Sequence, residues 1–232
     1  MNIPFSVISL KNFYKDPNKF SKELGDNFRK SGFCGIKDHE IDTDLVREVQ
    51  DLFIQFFSLP EETKKLYFYP ELGGARGYTP FKIETAKGAK HADLKEFWHV
   101  GRDLPEDHRL KDQFPNNIWP KEVEGFKDTF QAMFKALDDT GRIMLEALTY
   151  SLDVPKDYFQ KMTEAGSSIL RLLHYPPIPE GANPNSIRAA AHEDINLITL
   201  LVGASASGLE VLRNDNTWIP ITALPEHIVV NV

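Results

Sequence analysis

A single cysteine, Cys34, stands in 232 residues, so no disulfide can close within the chain and a disulfide-stapled secreted scaffold is excluded. Long apolar runs are missing too. Nothing approaches the ~20 residues that a membrane-spanning helix needs, and the opening MNIPFSVISLKNFYKD lacks the apolar centre of an export signal. Basic residues never run more than two in a row, and 27 of them face 34 acidic ones for a formal charge of −7. The positive field required to hold a phosphate backbone is therefore absent. These absences exclude nucleic acid and membrane as partners and place the chain in a reducing cytoplasm. Oligomeric state is not legible.

The composition is otherwise ordinary for a globular protein: 41% hydrophobic, 26% charged, 14 Gly and 15 Pro. Its length suits one large domain with a lobe attached, and no repeat, heptad array or low-complexity tract divides it. Three stretches are expected: 1–120 with irregular loops, 121–165 as a long supporting helix, and 166–232 as a region of short strands.

Hydrophobic period supports that division. An extended start covers Ile3 to Leu10. Leu45, Val49, Leu52, Phe53 and Phe56 recur at helical steps, with Asp42 or Asp44 placed to cap. SLPEETKKLY starts another helix, with Pro60 at its first position. From Tyr69 to Pro120 no period is sustained, and mixed charge with Gly and Pro suggests an irregular surface excursion. Val123, Phe126, Phe130, Met133, Leu137, Met144, Leu145 and Leu148 trace one stripe of a helix from about Lys121 to Leu152. Beyond Gly166, SILRLLHY, RAAAH, NLITLLVG, GLEVLRN, TWIPI and HIVVNV read as strands, with Asn214, Asp215 and Asn216 as a hairpin turn. Many short strands without intervening helices suggest an antiparallel sandwich or barrel.

His192 and Asp194, in AAAHEDINLITLL, are the first candidates for chemistry. On an extended segment, positions i and i+2 point to one face, so an imidazole and a carboxylate could share a cation while Glu193 turns away. A borderline divalent metal such as iron accepts that mixed nitrogen and oxygen set. The tripeptide alone is weak, because a partly buried histidine bonded to a carboxylate has the same spelling. His91-Ala92-Asp93 repeats the pattern within TAKGAKHADLKE, where a surface loop is the plainer reading.

Ten blocks in order strengthen the first copy. SGFCGIKDHEID, FFSLPEETK, GARGYTPF, DLKEFWHVGRDLP, NNIWP, LRLLHYPP, RAAAHEDINLITLL, GLEVL and WIPI, after the extended start, resemble the isopenicillin N synthase-like family of non-haem iron(II), 2-oxoglutarate-dependent dioxygenases. The resemblance implies an α+β fold with a mainly β core, a double-stranded β-helix or jelly roll behind an N-terminal helical lobe. It implies Fe(II), 2-oxoglutarate as cosubstrate and O2, with release of succinate and CO2 as a small organic substrate is oxidised. His192 and Asp194 fall on the family's first histidine and its carboxylate. Tyr175 falls where many members place a tyrosine that hydrogen-bonds the 2-oxoglutarate carboxylate. Arg76 and Phe81, in the irregular stretch, and Arg188, near the metal segment, are weaker candidates for substrate contact.

The family's second histidine ligand and its 2-oxoglutarate arginine follow a strand like IVVNV, and this chain stops at Val232. The expectation is therefore a chain lacking the last jelly-roll strands, a third ligand beyond Val232, and HIVVNV left as an exposed apolar edge. His227 precedes that strand and reads as a solvated loop residue. A non-catalytic jelly-roll binding module, or an inactive truncated oxygenase, is the alternative. Substrate and reaction outcome lie outside what the pattern specifies.

Overall fold

The structure, a computed structural model, describes residues 5–86, 90–203, 208–213, 216–221 and 226–232. In chain order the elements are β1 (Val7–Ser9), α1 (Lys11–Lys15), α2 (Pro17–Ser31), β2 (Phe33–Lys37), α3 (Thr43–Phe57), α4 (Glu61–Lys65), β3 (Gly77–Thr79), β4 (Glu96–Gly101), α5 (Phe126–Leu152), α6 (Tyr158–Thr163), β5 (Ile169–His174), β6 (Thr199–Val202), β7 (Glu210–Leu212), β8 (Trp218–Pro220) and β9 (Ile228–Asn231). This mixture of helices and sheets is α+β. The chain divides into two compact units, each assembled from separated segments: Met1–Ile41, Leu137–Glu164 and Asp194–Val232 in one, Asp42–Ala136 and Ala165–Glu193 in the other.

In the first unit a four-stranded sheet runs β1-β2-β9-β6, with β1 parallel to β2 and the other pairs antiparallel. Alternation along the strands sends Cys34, Ile36, Ile228 and Val230 to one buried face, with Cys34 opposite Val230 and Ile36 opposite Ile228. Val229 packs with Phe5 and Ile221 on the other. Gly35 permits the close approach of β1, since a Cβ there would lie 2.8 Å from Cγ2 of Val7. The strand HIVVNV thus overturns its expectation. It is bonded on both sides, by β2 and β6, and Ile228, Val229 and Val230 are buried rather than forming an exposed edge.

A helix that the hydrophobic period did not suggest, α2, also belongs to this unit. Asp16 caps it by accepting from the Lys19 N–H at 3.0 Å, Pro17 stands at its start, and Gly32 ends it with a left-handed φ of 73°. β7 and β8 pair antiparallel as the hairpin expected, and Asn216 has the positive φ of 62° such a turn demands. Asn214 and Asp215 lie outside the described residues.

The second unit is built on a three-stranded antiparallel sheet, β3-β4-β5. Tyr78, Trp98 and Leu172 are register partners on one face, packed with Phe56, Phe57, Phe126 and Phe130. Each fully buried side chain of this size stabilises by roughly 1.5–3 kcal/mol. The opposite face carries Thr79, Phe97, His99 and Arg171.

Tyr69 to Pro120 was expected to be an irregular surface excursion. It instead supplies β3 and the central strand β4, whose six residues are all buried. Strand length explains the miss: β3 is short, and β4 is buried on both faces, so neither shows alternation. Two boundaries also move. Gly125, with a φ of 79°, delays α5 to Phe126, and Pro60 stands one residue before α4 as its cap.

Candidate metal and cosubstrate site

In the second unit, β4 and β5 lie in register with Glu96 opposite His174, which sets Lys95 and Tyr175 next to each other beyond that pair. Lys95 is buried between two carboxylates, Oδ2 of Asp93 at 2.7 Å and Oε2 of Glu84 at 2.6 Å. Glu84 also takes the guanidinium of Arg171, which stacks 4.3 Å over the Phe97 ring. Burial would raise the Glu84 carboxyl, but hydrogen bonds from Arg171 and Lys95 outweigh it and hold the group below its ordinary range. Burial raises the Tyr175 phenol, partly offset by the charges of Lys95 and Arg171, so Tyr175 is a neutral hydroxyl at neutral pH.

Asp93 was expected on a surface loop. It is 1% exposed, and Oδ1 accepts the backbone N–H of Ala190 at 3.1 Å. Leu94 N–H donates to the Ile187 carbonyl at 2.8 Å, so the segment before His192 is anchored twice to the residues that lead into β4. His91, by contrast, is exposed and faces Asn183 at 3.1 Å.

His192 is exposed, and its Nδ1–H donates to the Ala190 carbonyl at 2.8 Å. A carbonyl only accepts, so in the neutral ring the lone pair sits on Nε2. The run RAAAH was expected as a strand; no strand is assigned over 175–198, and Arg188 is exposed there. Side-chain and backbone bonds to Asp93 and Leu94 order this piece in place of a ladder.

Asp194 begins the third segment of the first unit. Its Oδ2 accepts the Thr199 hydroxyl at 2.6 Å and the Asn231 amide at 3.0 Å, and Asn196 donates to the Thr199 oxygen at 2.9 Å. Thr199 and Asn231 are register partners on β6 and β9, so two neighbouring strands orient one carboxylate. Burial lowers the affinity of His39 for a proton, and the nearby, half-buried His227 lowers it further. Among the described residues no group of three His, Cys, Asp or Glu is gathered that could hold a metal ion by itself.

Behind β4, the two carboxylate oxygens of Glu96 each accept from the Lys64 ammonium at 2.9 Å, and the same group takes the Tyr78 hydroxyl and Nδ1–H of His174 at 2.7 Å. Burial opposes ionisation of Glu96, and these donors more than compensate, holding its carboxyl low. Arg76 is 4% exposed, with Nη1 on the Ala75 carbonyl at 2.7 Å and its guanidinium lying across Gly101. Phe81 is half-buried beneath the Lys82 ammonium, 5.4 Å from the ring centre. The ionic quartet around Lys95 and the Glu96 cluster escaped sequence reading, which took these charges for a solvated face. The only available signal was Lys95-Glu96 inside an otherwise aromatic run, LKEFWHV.

Residues 4–122 match the family described as the non-haem dioxygenase in morphine synthesis N-terminal region, and residues 166–232 match the 2OG-Fe(II) oxygenase superfamily. The chain belongs to the 2-oxoglutarate, iron(II)-dependent oxygenases. A putative 2OG-Fe(II) oxygenase family protein of Caulobacter crescentus is 45% identical, with a TM-score of 0.88 over 100% of this chain and 74% of that one. A Neurospora crassa protein, solved at full length in complex with alpha-KG, is 28% identical at a TM-score of 0.83, covering 97% of this chain and 72% of its own. A 2-oxoglutarate-Fe(II) type oxidoreductase of Aspergillus fumigatus is 29% identical over 242 residues, 99% of this chain and 72% of that protein. The isopenicillin N synthase-like resemblance is thus confirmed. This oxygenase is an oxidoreductase whose cofactors are Fe(II), 2-oxoglutarate and O2, and the catalytic reading is favoured over a binding module. No helix among the described residues is long and apolar enough to cross a membrane.

Proposed function

We propose that His192 and Asp194 are two of the iron ligands of this oxygenase, that Tyr175 contacts 2-oxoglutarate, and that the oxidised substrate is a small organic molecule. The donor chemistry fits iron: a neutral imidazole with its lone pair on Nε2 and an oriented carboxylate are the mixed set that a borderline divalent cation accepts. The observation that carries the reading is the hydrogen bond from His192 to Ala190, because a ligating histidine characteristically gives its other N–H to a fixed acceptor.

When bound, iron with 2-oxoglutarate and dioxygen supplies the oxidising chemistry, with succinate and CO2 released. The chain's residues bind and orient. Thr199 and Asn231 hold the Asp194 carboxylate against rotation, and the Ala190 carbonyl fixes the His192 ring. Tyr175, a neutral phenol at neutral pH, offers its O–H to an anionic oxygen of the cosubstrate. Arg76, Phe81 and Arg188 extend the proposal to substrate contact. Arg76 lies buried with its guanidinium across Gly101 at the end of β4, and Arg188 presents an exposed positive charge.

The match of 166–232 to the oxygenase superfamily supports a jelly roll for this region, to which its strands would contribute. The Neurospora crassa protein was also crystallised with thymine and with 5-formyluracil, which supports a substrate of comparable size here. Succinate formation from 2-oxoglutarate, measured with iron(II) under air against a panel of small metabolites, tests the proposal. Substrate-stimulated succinate that disappears in His192→Ala supports it. Succinate formed equally by His192→Ala refutes the ligand assignment.

A further inference from the structure

We infer that Asp93 is a positioning residue for His192, acting through the backbone of Ala190; the inference rests on the proposed ligand role of His192. Three bonds run in sequence: Lys95 Nζ donates to Oδ2 of Asp93 at 2.7 Å, Ala190 N–H donates to Oδ1 of Asp93 at 3.1 Å, and His192 Nδ1–H donates to the Ala190 carbonyl at 2.8 Å. The first two partners are fixed. Asp93 is 1% and Lys95 5% exposed, and Lys95 leads directly into the buried strand β4. His192 itself is exposed, on a segment without a strand ladder. A rigid, buried carboxylate thus sets the residue whose carbonyl sets the ring.

A buried carboxylate needs its countercharge, which Lys95 provides, and an ionised acceptor makes a shorter and stronger bond to an amide than a neutral one. Both carboxylates share Lys95, but the Ala190 N–H donates to Asp93, so the two differ in a contact that leads to His192.

Mn(II) binding to the purified protein, followed by electron paramagnetic resonance, tests this alongside deuterium exchange at the Ala190 amide in the metal-free protein. Asp93→Asn retains the side chain's size but offers one acceptor oxygen, so it cannot serve both Lys95 and Ala190. The expected result is a ~10–100-fold loss of Mn(II) affinity with faster Ala190 exchange, the range typical of losing a partner that orients a ligand. Glu84→Gln should keep Mn(II) affinity within about twofold. Ala190→Pro, which deletes the same bond from the donor side, should reproduce the loss if Asp93→Asn does not fold. Faster exchange at Ala190 with unchanged Mn(II) affinity overturns the inference, and so does an equal loss in Glu84→Gln. Undiminished Mn(II) binding by His192→Ala refutes the ligand assignment instead; a loss there with none in Asp93→Asn overturns the role of Asp93 alone.

Discussion

Nδ2 of Asn231 donates to Oδ2 of Asp194 at 3.0 Å, and Thr199, directly opposite Asn231 across β6 and β9, donates to the same oxygen. The register of two strands therefore specifies the attitude of a proposed iron ligand. Asn231→Ala removes one donor to this carboxylate without opening the core. Metal affinity should fall about tenfold while thermal stability stays nearly constant, as calorimetric titration with Mn(II) would show. Unchanged affinity would show that the Asn231 bond does not orient the carboxylate.

Glu96 holds the buried ammonium of Lys64 together with Tyr78 and His174. Glu96→Ala strands that ammonium and should cost about 3–5 kcal/mol of stability by chemical denaturation. The carboxyl is held low when folded, so its contribution is complete above the unfolded value of ~4.3 and is lost as pH falls through the folded one. Acid unfolding of the unaltered protein should be correspondingly steep, and flatter in Glu96→Ala.

His99 gives a second, separable pH effect. Burial lowers it to about 4, and it is neutral when folded with Nδ1–H on the Gly74 carbonyl. Between ~6.5 and about 4 the unfolded chain binds a proton that the folded chain refuses, so stability is full above that window and declines as pH falls through it. Lowering pH from ~7 to ~5 should cost about 2 kcal/mol more in the unaltered protein than in His99→Phe, measured by urea titration at both values. Equal losses would show that His99 titrates normally.

Cys34 is fully buried on β2, and burial pushes its thiol up to about 12. The folded protein should resist alkylation by iodoacetamide at mildly basic pH and react fully once denatured. Rapid modification of the folded chain would contradict the packing of β2 against β9.

The parts of this fold legible in the sequence are those where one period and one cap coincide. Asp42 caps α3 as expected, and α5 follows its stripe apart from the turn at Gly125. Hairpin chemistry around Asn216 foretold β7 and β8. What stayed hidden was set by tertiary contact. β4 is buried on both faces, so Lys95 and Glu96 looked like solvated charges until their partners at Asp93, Glu84, Lys64 and His174 came together across the second unit. HIVVNV looked like an unpaired edge because its partner β2 lies nearly two hundred residues earlier, and pairing at that separation leaves no local signal. For the proposed site, the H-x-D spacing suggested His192 and Asp194; the residues bonded around them, Ala190, Thr199 and Asn231, have no motif of their own.

Anaerobic addition of iron(II) and then 2-oxoglutarate to the purified protein addresses the proposed ligand pair most directly. The account expects a visible charge-transfer band from the iron and cosubstrate chelate, abolished in both His192→Ala and Asp194→Ala. A band of equal strength in either variant, or none in the unaltered protein, would contradict it.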